Sequence, residues 1–142
     1  ELVEGDLQYA AVLDPAGVEQ ERAMGVPARP RFDHLAVTVH DRAATGAFYA
    51  PLGFSLIGTL EQPQDPRGFS IGYLKGGDTV LEVFTYSADK QARHPQLDAA
   101  GFCCAELAGS EPPQGAEPLP GTDVLVDPNG LPFTLTPTGP TA

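Results

Sequence analysis

The sequence is short of the features that mark several functional classes. Only 8 residues are Lys or Arg, against 19 Asp or Glu, for a net charge of −11. A surface of that sign repels phosphate backbones and anionic lipid, which argues against nucleic acid and the membrane as partners. Its first consequence is solubility; beyond that, it favours a cationic partner. No apolar run approaches the length of a bilayer span. Glu1 to Gly5 have neither the basic end nor the apolar stretch of a signal peptide, although a chain opening on Glu1 leaves room for an upstream start or a removed leader. The two cysteines, Cys103 and Cys104, are adjacent. Neighbours on a strand point to opposite faces, which is poor disulfide geometry. Both therefore read as reduced thiols, and a cytoplasmic location is expected. No helix start or basic residue stands beside them to activate a catalytic thiol.

What is present suffices for one domain with one core: 142 residues, 42% of them apolar. The segment Phe32 to Val39 is rich in β-branched residues and predicts a strand. Asp41 then offers a helix N-cap, Ala44, Ala47, Phe48 and Leu52 fall at helical spacing, and Gly53 is a natural stop. Phe54 to Gly58 resumes as a strand. Gln62 to Arg67 reads as a loop. Gly68 to Leu74 and Thr79 to Thr85 follow as strands around the turn Lys75-Gly76-Gly77-Asp78. Residues 32–86 thus form a β-α-β-β-β unit.

Ala99 to Leu107 predicts another strand. Ala108 to Gly121 holds too many prolines and glycines for a helix. Thr122 to Val126 and Leu131 to Thr136 then form a hairpin across Asp127-Pro128-Asn129-Gly130. The second half repeats the first with its helix reduced or missing, and a frayed tail follows over residues 138–142. Residues 1–30 form an N-terminal extension. Within it, Tyr9 to Glu19 echoes Thr122 to Pro132, strand, Asp-Pro-x-Gly, strand. That echo reads either as an extra hairpin or as coincidence, since the turn is common.

Three motifs in order resemble the vicinal-oxygen-chelate (glyoxalase, bleomycin-resistance and extradiol dioxygenase) superfamily. They are Asp33 to Asp41 with Phe48-Tyr49 and Leu52-Gly53-Phe54, then Leu81-Glu82-Val83-Phe84, then Asp127-Pro128-Asn129-Gly130 with Leu131 to Leu135. The resemblance covers residues 31–137 and implies an α+β fold. Two βαβββ modules would form a cupped mixed β-sheet around the site, the second module shortened. It also implies a homodimer.

In metal-using members of that superfamily, His and Glu on four inward strand positions hold a divalent ion that polarises a chelating substrate oxygen. The resemblance places His34 and Glu82 at the first two positions. The third falls near Ala99, Ala100 or Gly101, and the fourth at Thr134, none of them good ligands. Two good donors of four leave no cofactor expected. The alternative is a divalent metal ion held by His34, Glu82 and Glu21, if the N-terminal hairpin packs beside the opening strand. His40 and His94 read as surface residues, Phe48 and Tyr49 as core, and Arg67 as a solvated loop residue. A pocket position for Glu82 has independent support, because a carboxylate in an apolar strand is rarely buried without a partner.

Three functions remain open. One is a bleomycin-resistance-like protein binding a small organic ligand, cationic and drug-like, through His34, Glu82 and Thr134. Another is an enzyme of lyase, epimerase or dioxygenase type that uses His34 and Glu82 as a catalytic acid and base pair or as metal ligands. The third is a non-catalytic module of a longer chain or of a paired subunit.

Overall fold

The computed structural model describes residues 12–23, 34–88, 90–98 and 100–137. Their elements run α1 (Pro15–Ala23), β1 (His34–Thr38), α2 (Arg42–Tyr49), β2 (Ser55–Gln62), β3 (Phe69–Gly76) and β4 (Thr79–Thr85). There follow β5 (Ala105–Ala108), β6 (Glu117–Pro118), β7 (Leu125–Val126) and β8 (Pro132–Thr136). The strands make two four-stranded sheets of identical topology, β1-β4-β3-β2 and β5-β8-β7-β6. In each, the first strand lies parallel to the last, and the other pairs are antiparallel. The molecule is an α+β protein of two repeated modules, as the sequence implies.

The first module forms where its local signals say it should. The Asp41 side chain accepts a hydrogen bond from the Ala44 amide at 2.9 Å and so caps α2. A 3-10 turn, Ala50–Leu52, extends the helix to Gly53, whose φ of 85° ends it. Phe48 and Tyr49 on α2 pack with Val37, Leu74, Leu81 and Val83 on one face of the first sheet. Leu131 and Phe133 of the second module complete the same core, so one helix covers parts of both sheets. Among the described residues 100–137 there is no helix.

A buried polar knot joins the modules behind α2. Asp127, 4% exposed, accepts from the Tyr49 hydroxyl at 3.0 Å, the Asn129 amide at 2.8 Å and the Leu131 amide at 2.7 Å. Asn129 in turn donates to the Thr45 hydroxyl at 3.1 Å and accepts from the His40 amide at 3.0 Å. Burial first, and the Asp127 carboxylate second, push the Tyr49 hydroxyl far above its ordinary pKa.

Two expectations are corrected. The N-terminal echo is not a hairpin in its second arm, because Pro15 to Ala23 is a helix. Asp14 accepts from the Gly17 amide at 2.6 Å through its side chain, and Pro15 takes the first helical position, where its missing N–H costs nothing. Asp-Pro-x-Gly therefore starts a helix here and makes a turn at Asp127. The first arm, Tyr9 to Ala11, lies outside the described residues. The strand expected over Ala99 to Leu107 begins only at Ala105, and this shift moves a site position, as shown below. The proline-rich stretch also contains a short strand, β6, that composition alone hides.

Candidate functional site

The register of the first sheet sorts its side chains onto two faces. Tyr73 pairs with Glu82, Ile71 with Phe84, Ala36 with Glu82 and His34 with Val80. Partners across a ladder share a face. Leu35, Val37, Leu81 and Val83 fall on the α2 side, so His34, Tyr73 and Glu82 fall on the other. There they form one chain. The Tyr73 hydroxyl donates to Glu82 Oε1 at 3.1 Å, and His34 Nε2 lies 3.2 Å from Glu82 Oε2, an ion pair when the imidazole is protonated. Glu82 is 6% exposed, and each of its oxygens meets one of these partners. That answers how a carboxylate survives among Val80, Leu81, Val83 and Phe84. Burial, and then the neighbouring carboxylate, push the Tyr73 hydroxyl up to about 12.

Tyr73 is the site residue that sequence reasoning missed. A signal existed. The turn after Lys75 pairs Gly76 with Thr79, and counting back along that hairpin sets Tyr73 opposite Glu82.

The second module repeats the arrangement with other side chains. Glu106 pairs with Thr134 as Ala36 pairs with Glu82. The counterpart of His34 is therefore Cys104, not Ala99, Ala100 or Gly101. Its thiol meets the Thr134 hydroxyl; burial raises the thiol's pKa, while that hydrogen bond works the other way. Glu106 bonds to Thr136 on the same face. Neither cysteine forms a disulfide among the described residues.

A tightly held divalent ion asks for three or more donors. His34 and Glu82 supply two, already in contact with each other, and the second Glu82 oxygen is taken by Tyr73. Among the described residues no three His, Cys, Asp or Glu side chains cluster as a metal site. The described donors do not fit a tightly held ion. Glu21 lies on α1, with its side chain outside the described residues.

The remaining candidates take lesser places. His40 and His94 are exposed, and Phe48 and Tyr49 are buried core. The Arg67 guanidinium is held by Asp65 through bonds of 2.9 and 2.8 Å and lies over the rings of Phe69 and Tyr86. Phe69, Phe84 and Tyr86 form an aromatic group. Phe84 stands next to Glu82 on the same face. Two cavities lie elsewhere. One of about 200 Å³ is lined by Leu35, Ala36, Val37, Arg93, Phe102 and Leu131. Another of about 650 Å³ lies among prolines of the second module, including Pro118, Pro120 and Pro128. Neither includes His34 or Glu82. No helix among the described residues is long and apolar enough to cross a membrane.

Repeated β-sheet modules with a His–Glu pair on one face define a paired-module α+β class of protein. The pattern of the Glyoxalase/Bleomycin resistance protein/Dioxygenase superfamily matches residues 31–135, and the chain belongs to that superfamily. Solved structures share the fold. A glyoxalase family protein from Bacillus cereus superposes with a TM-score of 0.62 at 14% identity, over 80% of this chain and 98% of its own. One from Enterococcus faecalis gives 0.54 at 23% identity, over 74% and 95%. The trypanothione-dependent glyoxalase I of Leishmania major gives 0.55 at 18%, over 75% and 86%. No curated protein matches the sequence.

Proposed function

We propose that the protein binds a small organic molecule against the face of the first sheet that carries His34, Tyr73 and Glu82, with Thr134 facing the ligand from the second module. The carrying observation is the Tyr73–Glu82–His34 chain. It presents one polar spot on an otherwise apolar and aromatic surface, which is the usual make-up of a small-molecule site. The site is degenerate as a metal centre, since Cys104 and Thr134 stand where the family pattern asks for His and Glu. With a net charge of −11, a cationic, drug-like ligand is the class to test first. By analogy with the family, two chains form the working unit.

The 3.2 Å contact of His34 with Glu82 favours a second reading. A carboxylate that fixes an imidazole is the arrangement of an acid–base catalyst, so proton transfer next to a carbonyl is the competing activity. Replacing His34 with Ala separates the two. A binder keeps most of its affinity, measured by calorimetry against a panel of cationic and aromatic compounds. A catalyst loses turnover. Metal content after incubation with manganese, iron, nickel or zinc completes the test: a stoichiometric ion lost in both His34→Ala and Glu21→Gln would make the metal-dependent enzyme the better reading, with Glu21 as third ligand.

A further inference from the structure

The face that bears the Tyr73–Glu82–His34 chain is covered by the protein's own N-terminal segment. Val12 and Leu13 pack against Ile71, Tyr73 and Val80, with Ile57, Leu60, Phe69 and Phe84 around them. These are the apolar surroundings of the polar chain just described. Val12 sits directly on Gly58: a β-carbon there would lie 2.5 Å from Val12 Cβ and 3.1 Å from the Val12 carbonyl oxygen. Gly58 does not have positive φ, so its backbone does not require glycine. What the missing side chain provides is room for the segment. The strand is also irregular there, its register shifting between Leu56 and Gly58. Val12 and Leu13 lie outside the stretch matched by the family pattern, residues 31–135, so the cover is an addition to the shared fold.

We propose that Val12 and Leu13 are a tethered occupant of the ligand face, and that ligand binding and docking of this segment exclude each other. The inference rests on the reading that this face is the ligand site. Burial of aliphatic surface is non-directional, so a ligand that buries as much can replace it. The surfaces that receive Val12 and Leu13 define what such a ligand offers: an apolar body of aliphatic or flat aromatic shape, with a polar end that reaches Tyr73 or His34. Apparent affinity is reduced in proportion to the fraction of molecules whose face is open. The segment therefore sets a threshold, and weak apolar compounds are kept out.

The test uses the full chain, with the neutral dye Nile red as probe and amide hydrogen exchange over residues 12–23 as the report on the segment. One variant, Val12→Asp with Leu13→Asp, makes docking unfavourable from the segment's side. A second, Gly58→Ala, wedges the segment off from the sheet's side and leaves the segment itself intact. Both are expected to bind the dye at least about tenfold more tightly than the wild type, since the open fraction rises. Exchange should accelerate over residues 12–23 while urea unfolding of the remainder stays cooperative. Adding Phe84→Ala to either variant should weaken the dye again. Equal dye affinity in wild type and both variants, still lowered by Phe84→Ala, would overturn the inference and leave the ligand face standing. Accelerated exchange with no dye binding in either variant would overturn the inference and the ligand face together. Should the double aspartate variant fail to fold, Gly58→Ala alone decides.

Discussion

His34 and Cys104 hold corresponding places in the two halves of the chain. Each stands two residues before a strand residue, Ala36 or Glu106, whose ladder partner is Glu82 or Thr134. Each also touches the side chain of that partner. One half thus presents an imidazole and a carboxylate, the other a thiol and a hydroxyl. A thiol pushed up by burial stays protonated at neutral pH, and it is then neither a strong ligand nor a strong nucleophile. The chemistry of the site is concentrated in the first half.

Glu82 anchors both of its neighbours, so Glu82→Gln should cost about 1.5–3 kcal/mol of folding stability, the usual loss for a hydrogen bond to a charged group. Glu82→Ala should cost more, because the Tyr73 hydroxyl is then buried without this acceptor. Urea denaturation at pH 7 measures both. A Glu82→Ala variant as stable as the wild type would show that the chain is not formed.

Among the described residues the Asp127 carboxylate accepts four hydrogen bonds, two of them from backbone amides. Asp127→Ala should cost about 3 kcal/mol or more, since several buried donors lose their acceptor at once. Asp127→Asn keeps one carbonyl oxygen and should recover part of that loss. The same denaturation experiment, run on Tyr49→Phe, isolates the Tyr49–Asp127 bond from the Asn129–Thr45 bond that also joins helix and turn. A Tyr49→Phe loss equal to that of Asp127→Ala would contradict the assignment of the backbone bonds.

Stability should fall in alkaline solution. Tyr73 has its folded pKa raised from 10.0 to about 12, and Tyr49 is raised as well. Below pH 10 both states hold these protons, and the full native stability is present. Above it the unfolded chain releases them while the folded protein cannot, so stability declines through the pH 10 to 12 window. Tyr73→Phe and Tyr49→Phe should each flatten that decline. Thermal melting temperatures at pH 9, 10 and 11 give the comparison; unchanged slopes in both variants would refute the coupling.

Asp65 is held down to about 2, first by hydrogen bonding from the Arg67 side chain. Replacing Arg67 with Ala should return this carboxylate toward 3.8, its ordinary value. The sign follows from the loss of a partner that favours the ionised form. An NMR titration of the Asp65 carboxyl carbon reads it directly, and a midpoint that stays near 2 would mean that the Arg67 side chain is not the cause, the Arg67 amide bond being kept in the variant.

Much of this architecture is legible in the residues. Asp41 and Gly53 mark the two ends of the helical run, and Lys75 to Asp78 mark a hairpin whose strands the structure confirms. His34 and Glu82 meet on one face, as the resemblance implies. What escaped detection depends on choices that composition does not make. Asp14-Pro15 and Asp127-Pro128 are the same dipeptide, yet the first opens a helix and the second a turn between strands; only packing decides. Ala99 to Ala105 carries no charged residue, so nothing in it announces that pairing starts only at Ala105, and the position that meets Thr134 falls at Cys104, later than the resemblance implies. Contacts of the extension with the sheet, such as Val12 on Gly58, leave no periodic trace at all.

The sharing of α2 bears on the order in which the chain can fold. Phe133 is fully buried, and its ring meets that of Phe48 edge to face at 6.0 Å. The C-terminal sheet therefore closes its interior with a helix made far earlier in synthesis. Emerging from the ribosome, the N-terminal half can assemble and wait; the C-terminal half, released alone, has no lid for Phe133. A fragment ending before β5 is the one to try as an autonomous folding unit, and its complement should remain unstructured until the two are mixed.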